Sequence, residues 1–174
     1  MDSEEKKETC MEERANESAD ELQEKSREES FLTLMGFKLA EEEYAVDIMQ
    51  IKEITIPTEL TPIPRAPEYI LGILSLRGNI LPVFDAKRRL GLPAREETHR
   101  TRIIIVNHQG EQVGLLVDDI TSAARISASA IEPPPPILNG VEAEYITGVG
   151  RVNDRMIILM DIEKICRMEE TVSA

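Results

Sequence analysis

Hydrophobic and polar residues alternate with a period of two from Phe31 onward. The run Phe31–Leu39 alternates in this way, and Tyr44-Ala45-Val46 returns as a second apolar segment after the acidic turn Glu41-Glu42-Glu43. Such alternation is typical of β-strands with one buried face. The pattern therefore predicts a β-hairpin at the start of the folded region.

A helical spacing follows this first hairpin. Ile48, Ile51 and Ile54 lie three residues apart, and Asp47 precedes them with a side chain suited to a helix N-cap. The sequence therefore predicts a short helix after Asp47. Prolines then confine the chain to extended, edge-strand or turn conformations. These prolines are Pro57, Pro62, Pro64 and Pro67.

Residues 68–85 carry the strongest hairpin signal in the chain. Two apolar runs flank a predicted tight turn that holds Arg77 and Gly78. Gly78-Asn79 between these runs is a hairpin signal, because Gly and Asn tolerate positive φ. Asp85 is predicted to cap a short helix that follows this hairpin. Arg77 places a long cation on a loop of a rigid scaffold, where binding residues are frequent.

The chain contains an internal repeat. Residues 68–85 recur as residues 144–161, so that Arg77 corresponds to Asn153 at an offset of 76. The helix predicted after Asp85, over Ala86–Leu90, recurs after Asp161, over Ile162–Ile165. A looser match relates residues 31–47 to residues 102–118, with a turn predicted over residues 107–110 and Asp118 predicted to cap a helix as Asp47 does. A proline segment follows each copy of the first hairpin, residues 133–136 being the second.

The duplicated unit predicts an all-β fold with short helices. Four or five short strands cannot bury both faces as an open sheet, so each unit is expected to close into a small barrel. We expect two five-stranded barrels within residues 31–168, followed by a C-terminal tail over residues 169–174. Residues 1–30 hold 12 acidic and 5 basic residues and few aliphatic ones, and are predicted to be a disordered acidic tail.

Charge and hydropathy narrow the class of partner. The net charge of −13 argues against nucleic acid and against an anionic membrane surface. No apolar run approaches the roughly 20 residues of a membrane span, and the N-terminus lacks the apolar core of a signal peptide. The chain is therefore expected to be soluble and intracellular, with a protein or a small molecule as its partner.

No catalytic or metal site is predicted. His99 and His108 are the two histidines, and both lie in polar connections without metal-ligand spacing. Asp118 and Asp119 are adjacent, so in a strand their side chains would point to opposite faces. Cys10 and Cys166 lie at opposite ends of the chain, and Cys166 is predicted to be a small buried residue. We expect no enzyme activity and no cofactor.

Four motifs together resemble the CheW family of chemotaxis coupling proteins. They are residues 42–54, Gly72–Gly78, Val113–Asp118 and Thr147-Gly148-Val149, and the resemblance covers residues 31–168. It implies two intertwined SH3-like five-stranded β-barrels and a non-enzymatic adaptor. Such an adaptor links the cytoplasmic tips of methyl-accepting chemoreceptors to the regulatory domain of a CheA-type histidine kinase. It would work in the cytoplasm, at receptor arrays on the inner face of the membrane, without inserting into it.

The resemblance also implies which residues contact the receptor. Its Asn-Leu-Arg-Gly motif aligns with residues 75–78, where Ser75 replaces the Asn, and the kinase-contact residues stay unassigned. The receptor-contact residues that it implies are Ile51, Glu53, Gly72, Arg77 and Gly78. Two alternatives remain open: an adaptor of a chemosensory pathway with pili or another output, and a double barrel that binds a peptide or small ligand.

Overall fold

The computed structural model of the protein describes residues 30–94, 96–138 and 141–168. The side chains of residues 137–138 and 141–142 are not described. The predicted acidic tail lies outside these ranges apart from Ser30, and so does the predicted C-terminal tail over residues 169–174.

Within these ranges the chain forms twelve β-strands and two α-helices. The strands of the first half are β1 (Phe31–Leu39), β2 (Glu42–Asp47), β3 (Ile51–Thr55), β4 (Ile70–Leu76) and β5 (Asn79–Asp85). Those of the second half are β6 (Arg102–His108), β7 (Glu111–Val117), β8 (Asp119–Ser127), β9 (Ile137–Leu138), β10 (Val141–Glu142), β11 (Ile146–Val152) and β12 (Arg155–Met160). Helices α1 (Ala86–Arg89) and α2 (Ile162–Ile165) follow β5 and β12. Short 3-10 turns cover Ile48–Gln50, Ala128–Ala130 and Ala143–Tyr145.

Ten of the strands form two five-stranded sheets of matching order. Barrel A has the order β11-β12-β2-β1-β8, and barrel B has the order β4-β5-β7-β6-β3. Each barrel takes one hairpin from the other half of the chain, β1–β2 in barrel A and β6–β7 in barrel B. Parallel pairing of β2 with β12 and of β5 with β7 joins the exchanged hairpins to their hosts. The predicted all-β fold of two barrels from a duplicated unit is therefore confirmed.

The strand registers define which positions correspond between the halves. The turns after β1 and β6 begin at Ala40 and Gln109, so β1–β3 map onto β6–β8 with an offset of 69. The pairing of Phe37 with Ile120 and of Val106 with Ile51 fits the same offset. Strands β4 and β5 map onto β11 and β12 with the predicted offset of 76. We call residues related by these offsets counterparts.

The buried apolar residues of the described ranges form three clusters. One lies inside barrel A, one inside barrel B, and the largest lies between the barrels. The period-two pattern explains this arrangement, because Ile103 and Ile105 face the interior of barrel B while Ile104 and Val106 face the inter-barrel cluster. The inner strands are therefore buried on both faces.

The prediction of a short helix after Asp47 is wrong. A single 3-10 turn over Ile48–Gln50 is capped by Asp47, and the chain then continues as strand β3. A register shift between Ile51 and Glu53 marks a β-bulge. Because a bulge inserts one extra residue, Ile51 and Ile54 both pack against the inter-barrel cluster at the spacing that suggested a helix.

The tight turn predicted to hold Arg77 and Gly78 is confirmed, and Asn79 begins β5. Two smaller predictions need correction. The β6–β7 turn is Gln109-Gly110, so His108 ends a strand and does not lie in the turn. Asp118 caps no helix, because strand β8 begins at the next residue. The cap was predicted from a match of Asp118 with Asp47, but the counterpart of Asp118 is Met49.

Candidate functional site

Arg77 occupies a backbone conformation that its residue type disfavours. Arg77 has φ of 52° and Gly78 has φ of 81°, which makes the β4–β5 connection a two-residue turn with positive φ at both central positions. Gly adopts this conformation freely, whereas a long L side chain there costs on the order of 1 kcal/mol. The turn projects the Arg77 side chain into solvent with 78% of its surface exposed.

An ion pair joins this turn to the opposite edge of barrel B. Arg77 Nη1 donates to Glu53 Oε2 at 3.2 Å, and Glu53 lies on β3 with 25% of its side chain exposed. Strands β3 and β4 are the two edges of the barrel, so the pair spans its seam. An exposed ion pair contributes only about 0–1 kcal/mol, so its main effect is to orient the Arg77 guanidinium.

Barrel A lacks both members of this pair. The counterpart of Arg77 is Asn153, with φ of 50°, and the counterpart of Glu53 is Ser122. The two charges are thus absent together, although the turn itself is preserved. Barrel A carries a different ion pair near its hairpin tip, Arg155 with Glu43 at 3.3 Å.

Gly72 shapes the seam of barrel B from inside. It lies at a bulge in β4 with φ of 150°, and a Cβ added there would lie 2.5 Å from the carbonyl oxygen of Thr61. Thr61 in turn pairs with Ile73, donating to its carbonyl at 3.0 Å and accepting from its N–H at 2.8 Å. Gly72 is buried, so it allows the segment after β3 to cross β4 and helps to close the barrel.

The exposed apolar residues beside β3 extend the site. Ile51 is half-buried against the inter-barrel cluster, while Met49 just before β3 is 86% exposed and Ile56 just after it is 65% exposed. Sequence reasoning missed Met49 and Ile56 because it assigned this stretch to a helix. We call the residues Met49, Glu53, Ile56 and Arg77 the β3 surface.

The Cys166 thiol is buried just after α2. Burial raises the pKa of the Cys166 thiol to about 12, an effect that Arg89 opposes, so this thiol stays protonated near neutral pH. The prediction that Cys166 is buried is confirmed. The described residues contain no cluster of His, Cys, Asp or Glu that could hold a metal ion. Among the same residues, no helix has the length and apolarity needed to cross a membrane.

Comparison with known proteins identifies the family of this double barrel. Residues 33–170 match the family described as the CheW-like domain. The chain belongs to the CheW-like family.

Individual relatives agree with this assignment. The chain is 38% identical to "Chemotaxis protein CheW" of Rhizobium meliloti (strain 1021), over 81% of this chain and 91% of that protein. It is 34% identical to "Chemotaxis protein CheW" of Helicobacter pylori, over 81% of this chain and 85% of that protein. The crystal structure of the scaffolding protein TtCheW from Thermoanaerobacter tengcongensis matches with a TM-score of 0.76 and 36% identity, covering 80% of this chain and 95% of that one.

CheW-like proteins are adaptor or scaffold proteins and not enzymes, so this chain is a chemotaxis scaffold protein. Of the five residues that the sequence singled out, the structure brings Glu53, Arg77 and Gly78 together at the seam of barrel B. Gly72 is buried in β4, and Ile51 is half-buried at the start of β3.

Proposed function

We propose that this CheW-like chain links the cytoplasmic tips of methyl-accepting chemoreceptors to the regulatory domain of a CheA-type histidine kinase, in arrays on the inner face of the membrane. Family membership supports the coupling role. The observation that carries the receptor site is the Arg77–Glu53 pair, which one barrel holds and its duplicate lacks.

The β3 surface has the composition of a protein-docking site. Interfaces combine apolar contact with a few oriented charged groups, and Arg is enriched in them. Arg77 would donate charge-assisted hydrogen bonds to carboxylate or carbonyl oxygens on the receptor's helical hairpin, with Glu53 holding the guanidinium in position. Met49 and Ile56 would supply apolar contact on either side.

Docking at barrel B would reach barrel A through rigid connections. The buried Lys87 of α1 pairs with Asp118 at 2.5 Å, and Asp118 also accepts a hydrogen bond from the Ala40 N–H of the β1–β2 turn at 2.8 Å. Arg89 of α1 donates to the backbone carbonyl oxygens of Ile165 and Arg167 at the end of α2. Signalling would therefore pass as a change in the geometry between rigid bodies, with the kinase on a separate surface.

The test compares two arginines that each form an ion pair at a hairpin tip. We expect Arg77→Glu to abolish co-sedimentation with receptor-containing membranes, and Arg155→Glu to leave it within about twofold of the wild type. Circular dichroism and thermal denaturation check that both variants fold. Receptor binding by Arg77→Glu at the wild-type level would remove the assigned site.

Exchanging the two charges of the Arg77–Glu53 pair tests whether Arg77 acts through the structure of barrel B or through contact with the receptor. The double variant Arg77→Glu/Glu53→Arg keeps an ion pair across the seam but moves the cation from the turn to β3. If the pair served only to close barrel B, the exchange would restore binding. We expect binding to stay lost, because the cation would no longer project from the hairpin tip.

A further inference from the structure

Barrel A has a pocket at its mouth, and no residue of the Arg77 turn lines it. The pocket has a volume of about 210 Å³ and lies between strands β1, β2, β11 and β12. Its apolar walls come in part from the interior cluster of barrel A, and its rim carries a carboxylate and a hydroxyl. The residues that matter here are Leu32, Leu34, Ala45, Asp47, Thr147 and Leu159.

The same place in barrel B is closed by the protein itself. The counterpart of Asp47 is Leu116, and the counterpart of Thr147 is Leu71. Both leucines pack against the interior cluster of barrel B, and Leu116 is only 7% exposed. The fold therefore accepts two large apolar residues at these positions, and barrel A has a shorter polar residue at each.

Asp47 has spare hydrogen-bonding capacity. Its Oδ1 accepts the N–H of Met49 at 2.9 Å, which caps the 3-10 turn. In the described part of the chain its Oδ2 has no hydrogen-bond or ion-pair partner, and the side chain is half-buried. A carboxylate accepts several hydrogen bonds, so this rim favours a cation or another donor above an apolar floor.

The size of the pocket favours one side chain over a free ligand. Pockets for free small ligands usually span about 300–1,000 Å³, more than this one offers. A lysine or arginine side chain combines an apolar stem with a cationic head, which matches apolar walls below an acidic rim. Gln50, which lines the pocket, directly follows Met49 in the chain, so the pocket begins next to a residue of the β3 surface.

We propose that the pocket at the mouth of barrel A receives a single lysine or arginine side chain from the protein that docks on the β3 surface. The stem packs against Leu34 and Leu159, and the head group donates to Asp47 and Thr147. This inference rests on the proposed function, because the docking protein is the chemoreceptor tip. The pocket adds a second contact with opposite requirements. It needs a cation on the receptor, whereas Arg77 needs a hydrogen-bond acceptor there.

Side-chain analogues test the pocket in the full-length protein without a partner. Methyl NMR titrations compare n-butylammonium and n-propylguanidinium with n-butanol as the uncharged match. We expect saturable shifts of the Leu34 and Leu159 methyl signals, with the cations binding at least about fivefold more tightly than the alcohol. The methyl signals of Leu71 and Leu116 in barrel B are the internal control and should not move.

Two variants test whether the analogues bind in this pocket. Thr147→Leu copies Leu71 and fills the pocket, so it should weaken analogue binding at least about fivefold. Asp47→Asn keeps an oxygen that can cap the 3-10 turn but removes the charge, so it should abolish the preference for cations. Equal binding of cations and alcohol by the wild type, or unchanged titrations with Thr147→Leu, would overturn the proposal.

Receptor co-sedimentation of the same variants separates this inference from the proposed function. We expect Thr147→Leu to lower receptor affinity about tenfold without lowering the melting temperature. If Arg77→Glu abolishes binding and Thr147→Leu does not change it, the side-chain pocket is refuted and the coupling role stands. If the wild type itself does not sediment with receptor, the proposed function fails and the identity of the docking protein fails with it.

Discussion

The β4–β5 and β11–β12 hairpins have nearly the same backbone and different side chains at the tip. Both turns hold two residues of positive φ, at 52° and 81° for Arg77 and Gly78 and at 50° and 64° for Asn153 and Asp154. Asn and Asp tolerate this region better than other non-glycine residues. The turn of barrel A thus consists of residues suited to the conformation, whereas the turn of barrel B retains an arginine that its backbone disfavours.

The same comparison extends to the ion pairs that link the two halves. Lys87 is 4% exposed at its side chain and pairs with Asp118, whereas their counterparts are Glu163 and Met49. Only one copy of the repeat therefore has this ion pair between a buried lysine and a half-buried aspartate. Shared positions build the barrels, and positions that differ supply the connections and the surface chemistry.

The largest expected effect comes from breaking the ion pair of the buried Lys87. Asp118→Ala should destabilise the protein by about 3–5 kcal/mol, because it leaves the buried Lys87 ammonium without its partner. Asp47→Ala, which removes only a capping bond to Met49 in the other copy, should cost about 1 kcal/mol. Urea denaturation of both variants measures the difference, and equal losses would show that the two aspartates have similar roles.

Gly72 should come next in the size of its effect. Gly72→Ala combines a positive φ with a Cβ placed against the Thr61 carbonyl, and should destabilise by about 2–3 kcal/mol. Gly78→Ala has the same kind of φ but open space around the new Cβ, so about 1 kcal/mol is expected. Thermal denaturation distinguishes them, and a similar loss in both would mean that the close approach to Thr61 relaxes.

Much of the architecture was predictable because it depends on local pattern and on duplication. The alternation over Phe31–Leu39 correctly placed β1, and the repeat correctly placed α2 at Ile162–Ile165. Asp85 and Asp161 cap the two helices as predicted from their place after a strand. Such features follow from side-chain periodicity and capping chemistry within a few residues.

The features that escaped prediction depend on distant contacts. The bulge at residues 51–53 is defined by pairing with β6, about 50 residues away, and it imitates helical spacing. The ion pair of Glu53 with Arg77 forms because the sheet closes into a barrel and brings β3 near the β4–β5 turn, which no local sequence pattern predicts. Matching the two first hairpins by their starts aligned Asp118 with Asp47, two positions from its true counterpart, because β1 has 9 residues and β6 has 7.

Tyr44 offers a smaller and pH-dependent contrast with its counterpart Val113. Its ring is fully buried and its hydroxyl has no hydrogen-bond partner among the described residues. Burial, assisted by the Glu42 charge, raises the pKa of Tyr44 from 10.0 to about 12. The neutral form is therefore favoured in the folded state, and that stability is present below pH 10 and lost as the pH rises towards 12.

Tyr44→Phe should change stability at pH 7 by no more than about 1 kcal/mol, with an increase favoured because a buried unsatisfied hydroxyl is removed. Between pH 10 and 12 the wild type should lose stability more steeply than this variant. Urea denaturation at pH 8 and pH 11 provides the comparison. Parallel pH dependence in the two proteins would show that the hydroxyl finds a partner.

The smallest effect on stability should come from exchanging the two turn residues themselves. Arg77→Asn gains a residue better suited to positive φ and loses an exposed ion pair, and each effect is below about 1 kcal/mol with opposite sign. We therefore expect its melting temperature to stay within about 2 °C of the wild type while receptor co-sedimentation falls at least about tenfold. Asn153→Arg should add no receptor binding, because Ser122 offers no carboxylate to hold the new cation. If Arg77→Asn lost both melting temperature and receptor binding, Arg77 would serve the structure of barrel B. If the variant kept its melting temperature but lost receptor binding, the arginine would serve contact with a partner.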